Sequence, residues 1–376
     1  MHPGKAQEII ELPPENRWLE PQFEELYRVG SLGGKDWEQF GSVRRVAFDA
    51  TGQLYVFDIS TKRVYVVNQR GELRRTLGGP GEGPGEFRRP DGLAVMRDGR
   101  LVIADMGHLA YHVFGPDGQF ERRVRMAPES AIATLTDFMP DPGGHAVFTA
   151  TGSQPLEIRF LDQGQEKRYT SLPIERLLLT GDVITRETVA EGWLPMNETT
   201  WLEDRPVFGP RMLAGVLPDG SVAFSDSSAY SIKIARLGVG VWRILRRPLQ
   251  PIPVTNRMIA VEKDRQLANT SPGLAKYERA RIASLSFFEE VTILRNLKTG
   301  WDGEIWVQRH GPEPVGDDGP IDVLTMEGVY LGSYRRGAVR MPDAFGPSGL
   351  VAFIELGDLD EPTVAVKRLP IQVSIR

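Results

Sequence analysis

The chain has 376 residues, of which 41% are hydrophobic and 25% are charged, and its formal net charge is −5. This composition is typical of a folded globular protein, and the negative charge argues against general electrostatic binding to nucleic acid. The sequence has no cysteine, which excludes disulfides, thiolate metal sites and cysteine nucleophiles. No apolar run is long enough to predict a transmembrane helix.

The first residues of the chain do not match a secretory signal peptide. Met1–Lys5 lack the apolar core of a signal peptide. We expect residues 1–24 to form an N-terminal extension and residues 25–376 to form a single domain. Long insertions within that domain are expected at 172–210 and at 248–290.

Two stretches of the chain repeat one pattern. Residues 52–73 contain a glycine turn, an apolar strand that ends in Asp58, an alternating strand and a second glycine turn, and residues 99–120 repeat this pattern with Asp105. The two aspartates are 47 residues apart, and a period of about 40 to 50 residues is typical of propeller blades. Weaker copies, each read as one further blade, lie at 135–168, 212–237, 291–334 and 339–369. The last of these six blades needs an extra strand, for which we expect Glu25–Ser31 to be the donor.

A glycine-rich linker between the first two copies carries a family resemblance. Gly78–Phe87 reads Gly-Gly-Pro-Gly-Glu-Gly-Pro-Gly-Glu-Phe. The chain thereby resembles the NHL-repeat family, and especially bacterial six-bladed propellers with this linker. The resemblance implies an all-β, six-bladed β-propeller. Since such relatives are usually exported, it favours a periplasmic or secreted protein without its signal peptide, whereas a native Met1 would place the protein in the cytoplasm.

The connections between strands predict two unequal faces of the ring. Short Asp/Gly/Pro turns fall on one face, and every long connection falls on the other, which we call the loop-rich face. The insertion at 248–290 is predicted to be helical, with a first helix capped at Thr255 or Asn256 and running through Ala268, and a second helix after Ser271.

Binding surfaces tend to be built from loops on a rigid scaffold. The leading hypothesis is therefore a non-enzymatic propeller that binds a protein partner, or serves as an accessory subunit, through the loop-rich face. No cofactor is expected on this hypothesis. The candidate binding residues on that face are Arg88, Arg89, His108, Trp193, Trp201, Tyr277 and His310.

The alternative hypothesis is a metal-dependent hydrolase or lactonase with its site at the channel mouth. Six-bladed calcium hydrolases such as gluconolactonases and organophosphatases hold the metal at inner strand ends, and this resemblance implies Asp137 and Asn296 as candidate ligands. The five histidines show no zinc-motif spacing. The repeated strand-end aspartates are predicted to accept backbone hydrogen bonds, so that Asp105→Ala would destabilise the fold by about 1–3 kcal/mol.

Overall fold

A computed structural model describes residues 7–126, 132–134, 138–150, 153–155, 172–192, 206–270, 275–316 and 318–370. Its strands form six four-stranded antiparallel blades that follow one another in sequence order around a central cavity. The protein is therefore a six-bladed β-propeller, and the predicted fold class is confirmed.

The strands of each blade run from the cavity outwards. Blade 1 comprises Val43–Phe48, Leu54–Asp58, Arg63–Val67 and Leu73–Gly78, and blade 2 comprises Pro90–Val95, Leu101–Asp105, Ala110–Phe114 and Phe120–Arg125. Blade 3 comprises Phe138–Pro140, Ala146–Thr149, Leu172–Leu178 and Thr185–Gly192, and blade 4 comprises Leu213–Val216, Val222–Ser225, Ser231–Arg236 and Gly240–Arg246. Blade 5 comprises Leu294–Thr299, Glu304–His310, Asp318–Thr325 and Tyr330–Tyr334, and blade 6 comprises Ala344–Phe345, Leu350–Leu356, Pro362–Arg368 and Glu24–Val29. Ile132–Thr134 and Ser153–Pro155 form a separate two-stranded sheet, and short 3-10 helices span Asp36–Glu38 and Pro347–Gly349.

The N-terminal part of the chain closes the ring. Glu24–Val29 pairs antiparallel with Pro362–Arg368, so the predicted strand donor for the last blade is confirmed. Upstream of it, Glu8–Glu11 adds a fifth, parallel strand to the outer edge of blade 4 by pairing along Gly240–Arg246. Trp18 forms a further bridge to blade 5. The expected extension therefore contacts two blades.

The prediction of an insertion at 172–210 is wrong for the part that forms blade 3. The range 172–210 was expected to be an excursion, but Leu172–Leu178 and Thr185–Gly192 form the two outer strands of this blade. The physical reason is that charged side chains in these strands pair across the sheet, as Glu175 does with Arg186 at 2.6 Å. These charges hide the apolar alternation that identifies a strand.

The hydrophobic core is divided among the six junctions between blades. Each of six buried clusters joins two adjacent blades, because alternate side chains of a strand face opposite neighbours. In ring order, pairs that share a cluster are Phe57 and Leu101, Val102 and Leu177, Phe148 and Phe224, Ile232 and Ile305, Trp306 and Val351, and Val364 and Val56.

A helical insertion separates blades 4 and 5, as predicted. It contains α1 (Asn256–Ala268), capped by the Thr255 hydroxyl, and α2 (Ala275–Ala283). Its ends are close together because Ile252–Pro253 pairs with Glu290–Val291. In the part of the chain that the structure describes, no helix has the length and apolar character needed to cross a membrane.

Candidate functional site

The structure places the predicted binding residues in two groups on opposite sides of the ring. Arg88, Arg89 and His108 lie at blade 2, and His310 lies at the end of the second strand of blade 5. Tyr277 lies in α2, but its side chain is outside the described residues. The other two candidates, Trp193 and Trp201, also fall outside them, as does the candidate calcium ligand Asp137.

His310 belongs to a group of candidate side chains that surrounds a cavity at blade 5. This cavity has a volume of about 380 Å³ and lies between the helical insertion and the start of blades 4 and 5. We call it the insertion cavity. The charged and titratable side chains that line it are Arg211 before blade 4, Glu262 and Arg265 from α1, Arg295 from the first strand of blade 5, and His310.

The insertion cavity carries more positive than negative charge. Glu262 is buried and accepts hydrogen bonds from Arg265 at 2.6 and 2.7 Å. Burial alone would raise the pKa of Glu262, but the hydrogen bonds from Arg265 and Gln266 hold that pKa below its ordinary value. Arg295 forms an ion pair at 3.1 Å with Asp318. Glu262 and Asp318 thus balance two of the three lining arginines, and the charge of Arg211 leaves the cavity with a net positive charge. Its local potential therefore favours an anion.

His310 is a neutral ring in this cavity. Its Nδ1 lies 2.7 Å from the carbonyl oxygen of Thr292, which therefore accepts a hydrogen bond from Nδ1–H. Burial lowers the pKa of His310, the Thr292 hydrogen bond opposes this shift, and the charges of Arg295 and Arg211 add to the lowering. A lowered pKa keeps the ring uncharged near pH 7.

The lowered pKa of His310 makes stability depend on pH. Below the ordinary histidine pKa of about 6.5, the unfolded chain binds a proton at this position while the folded chain does not. The free energy of unfolding therefore falls as pH falls from about 6.5 towards the folded pKa. We expect His310→Asn to reduce this loss, measured by urea unfolding between about pH 7 and pH 5, whereas His145→Asn at an exposed turn should not. An equal pH dependence in both variants would contradict this prediction.

The second group is organised by Asp105, which is fully buried at the end of the second strand of blade 2. Its carboxylate accepts hydrogen bonds from the backbone N–H groups of Arg88 and Arg89 at 2.7 and 2.9 Å, and from that of Gly107 at 2.8 Å. Burial alone would raise the pKa of Asp105, but these backbone hydrogen bonds hold it below the ordinary value. Asp58 has an equivalent set of donors in blade 1, whereas Asp226 in blade 4 pairs with Lys233 at 2.8 Å.

Two histidines pack against the Asp105 carboxylate. His108 places Nδ1 2.9 Å from Asp105 Oδ2 and Nε2 3.0 Å from Glu82 Oε2, so it joins the strand end to the Gly78–Phe87 linker. His112 is fully buried, and its ring stacks on His108 with centroids 5.2 Å apart. Burial, assisted by the charge of Arg123, lowers the pKa of His112 to about 4, so the ring is neutral at pH 7.

The central channel holds a second cavity, of about 410 Å³, lined by the innermost strands of all six blades. At its short-turn end, Arg97 of blade 2 donates a hydrogen bond of 2.6 Å to the backbone oxygen of Trp301 in blade 5, and stacks on the Trp301 ring. Lys298 also lines the channel. Burial lowers the pKa of Lys298, and its Nζ donates to the carbonyl oxygen of Pro342 at 2.7 Å.

The candidate calcium ligand Asn296 lines this channel. Asp141 and Asp343 line it as well, but each forms an ion pair with an arginine. Calcium takes about six to eight oxygen ligands. Among the residues that the structure describes, one group of three histidine or carboxylate side chains is close enough to share a metal ion. It consists of Asp105, His108 and His112, and it lies outside the channel.

Sequence reasoning missed parts of both groups. The arginines of the insertion cavity are far apart in sequence, and no local pattern marks them. The strand pattern around His112 does not mark it as functional. A residue-by-residue alignment of the two repeats would have singled it out, because Thr61 and Tyr65 stand in blade 1 where His108 and His112 stand in blade 2.

Comparison with known proteins supports the fold. A family model described as DUF5128, 6-bladed beta-propeller, matches residues 27–137. No curated protein matches the sequence. The resemblance to NHL repeats remains a prediction.

Solved structures of low sequence identity share the architecture. A duf4221 family member from Bacteroides vulgatus is 8% identical, with 92% of this chain and 98% of that chain covered and a TM-score of 0.53. The Bacteroides fragilis protein BF0058 is 10% identical, with 96% and 99% covered and a TM-score of 0.50. The gluconolactonase XC5397 from Xanthomonas campestris is 12% identical, with 98% and 99% covered and a TM-score of 0.44. At such low identities, the likeness shows the fold and not the activity.

Proposed function

We propose that this protein is a non-catalytic propeller scaffold that binds an acidic segment of a protein partner at the insertion cavity. The observation that carries the proposal is the cavity itself, which three arginines and His310 line beneath the helical insertion. It lies on the loop-rich face, where binding residues are expected.

The charge of the insertion cavity argues for an acidic ligand. The protein as a whole has a net charge of −5, so a cationic cavity is a local departure from its general charge. Arginine suits this role because its planar guanidinium donates two parallel hydrogen bonds to a carboxylate. A glutamate or aspartate side chain, or a C-terminal carboxylate, has the size and charge to enter a cavity of this volume.

The helical insertion also exposes apolar side chains. Ile252, Val261 and Leu267 expose 39%, 40% and 39% of their surface. Such side chains add contact area around a charged anchor, and this combination is typical of protein interfaces. The insertion is therefore proposed as the partner-binding element and the ring as its rigid support.

Replacing residues 255–288 with a short Gly/Ser linker should leave the ring folded and remove partner binding. The backbone N–H of Val254 donates to the carbonyl oxygen of Glu289 at 2.9 Å, so a few residues can connect the two sides. The free energy of loop closure changes only slowly with loop length. Circular dichroism and size-exclusion chromatography would check the fold, and loss of the ring would show that the insertion belongs to the core.

Reversing the charge of one cavity residue is a sharper test. Arg211 is exposed at the rim of the insertion cavity, and Arg70 is exposed in a turn on the opposite face. We expect Arg211→Glu to abolish capture of a specific partner from the native host, with an unchanged melting temperature. The matched control Arg70→Glu should retain that partner. Equal capture by both variants would contradict the proposed site.

The hydrolase hypothesis gives a different outcome in the same experiments. A channel enzyme would hydrolyse lactone substrates only with added calcium, and neither the Arg211→Glu change nor the loss of the insertion would abolish that activity. Calcium-dependent turnover by the purified wild-type chain would therefore overturn the scaffold proposal.

A further inference from the structure

Blade 2 brings together three side chains of the types that bind metal ions, away from the insertion cavity. Asp105 Oδ2 lies 2.9 Å from His108 Nδ1 and 4.0 Å from His112 Nε2. One donor atom from each of the three side chains lies within 4.8 Å of the other two. Zinc binds nitrogen and oxygen ligands at about 2.0–2.2 Å in a tetrahedron, which places ligand atoms about 3.3–3.5 Å apart. The two distances from Asp105 lie on either side of that value. Side-chain rotations that unstack the two imidazole rings would bring all three atoms to a common ion.

His112 places its imidazole ring in a fully buried position. Among the residues that the structure describes, neither Nδ1 nor Nε2 has a hydrogen-bond partner. Buried polar atoms are nearly always paired, and an unpaired one calls for a specific explanation. A metal ion on Nε2 would satisfy the nitrogen that faces Asp105.

Glu82 stands where an outer carboxylate would support a metal-bound histidine. Its Oε2 lies 3.0 Å from His108 Nε2, on the far side of the ring from Asp105. Histidines that bind a metal through one nitrogen usually donate the other N–H to a carboxylate or carbonyl, which fixes the tautomer. Asp105 is itself oriented by its backbone hydrogen bonds, so two of the three ligands are held in place.

Blade 1 shows that the fold does not require the two histidines. Asp58 accepts the same kind of backbone hydrogen bonds as Asp105, and is equally buried. The positions equivalent to His108 and His112 are Thr61 and Tyr65, whose hydroxyl groups lie 3.4 Å apart. The aspartate is therefore structural in both blades, and the histidine pair is a feature added to blade 2.

We propose that Asp105, His108 and His112 bind a divalent transition-metal ion of the zinc class, with Glu82 as the outer carboxylate. On binding, His108 carries its proton on Nε2, donates it to Glu82, and offers Nδ1 to the metal. Two imidazoles and one carboxylate suit zinc and its neighbours better than calcium or magnesium, which prefer oxygen ligands. The ion would fasten the Gly78–Phe87 linker to the second and third strands of blade 2. This inference does not depend on the proposed partner site.

The first experiment measures metal binding by the full-length, untagged chain. After treatment with a chelator and its removal, zinc chloride is titrated in by calorimetry at about pH 7. We expect one zinc per chain. We also expect cobalt(II) to give the visible absorption of a tetrahedral site, and calcium chloride to give no comparable heat. A calcium response as strong as the zinc response would overturn the proposal.

The variant His108→Thr with His112→Tyr copies the residues of blade 1 and tests the ligands. We expect zinc affinity to fall at least about 100-fold, beyond the range of an outer-carboxylate change, and the zinc-induced rise in melting temperature to disappear. The control His145→Thr changes an exposed histidine and should keep wild-type affinity. Unchanged zinc affinity in the double variant would overturn the site. If the double variant does not fold, the single variant His108→Thr gives the same comparison.

Discussion

Arg247→Met should lower the free energy of unfolding by about 3–5 kcal/mol. The guanidinium of Arg247 is fully buried and forms a 2.9 Å ion pair with Asp322, whose side chain is also fully buried. Without Arg247, the buried Asp322 carboxylate would lose its shortest ion pair and keep the Ser333 hydroxyl and a longer, 3.4 Å pair with Arg309. Removal of one partner from a buried ion pair is costly because the remaining charge lies in a low-dielectric interior. Equilibrium unfolding in urea would measure the loss.

The effect should be large because Arg247 also holds the N-terminal segment to the ring. It donates hydrogen bonds of 2.8 Å to the carbonyl oxygens of Pro13 and Glu15, and one of 2.9 Å to the side chain of Asn16. Methionine has a similar length but no donors, so these acceptors would lose their partners together. The N-terminal segment should then become more susceptible to proteolysis than the blades.

The neighbouring residue provides the matched control. Arg246 is exposed, and Arg246→Met keeps the backbone carbonyl that accepts from Leu12. Substitutions at such surface positions usually change stability by less than about 0.5 kcal/mol. Equal stability of the two variants would show that the buried pair does not anchor the segment.

Asp58→Ala should destabilise the protein by about 3 kcal/mol, because several buried donors lose their acceptor together. The carboxylate accepts from the backbone N–H groups of Gly41, Ser42 and Ser60 at 2.9–3.1 Å. Burial alone would raise the pKa of Asp58, but the hydrogen bonds from Ser60, Gly41 and Ser42 hold it below the ordinary value. Asp58 is preferred to Asp105 for this test because no histidine contacts it among the described residues.

The control for this prediction is Asp117→Ala, which removes one hydrogen bond to Gln119 in an exposed turn. Its effect on the urea midpoint should be several-fold smaller. The low folded pKa of Asp58 gives a second measurement, because its stabilisation is present above the ordinary aspartate pKa of about 3.9 and is lost as pH falls through the folded value. Asp58→Ala should therefore flatten the acid limb of the stability profile, and an unchanged acid limb would contradict the assignment.

The sequence was sufficient for the features that depend on local patterns. Gly-Asp turns at a fixed spacing identified blades 1 and 2, and the Thr255 cap before the spaced apolar residues of 256–268 identified α1. The outer strands of blade 3 were not predicted, because paired charges interrupt their apolar alternation. The predicted blade at 135–168 placed strands at 156–168 instead, and that stretch lies outside the described residues.

The candidate sites depend on contacts that no local pattern carries. Arg211 and Arg295 meet at the insertion cavity only because the ring places the start of blade 4 beside blade 5. His108 was singled out as a loop histidine, but its contact with Glu82 depends on the path of the linker over blade 2. The contact between His112 and Asp105 could not be predicted either, because an alternating pattern identifies a strand but not the residues that pack against it.

Blade 6 contains strands from both ends of the described chain, and this affects folding during synthesis. Arg28 contacts Thr363, which leaves the ribosome 335 residues later. The strand Glu24–Val29 is thus synthesised early but finds its partner only when Pro362–Arg368 has emerged. Contacts this distant in sequence form slowly. Until they form, Pro362–Arg368 is an open edge that a second chain can pair with. The risk of aggregation therefore falls in the interval between the emergence of Pro362–Arg368 and ring closure.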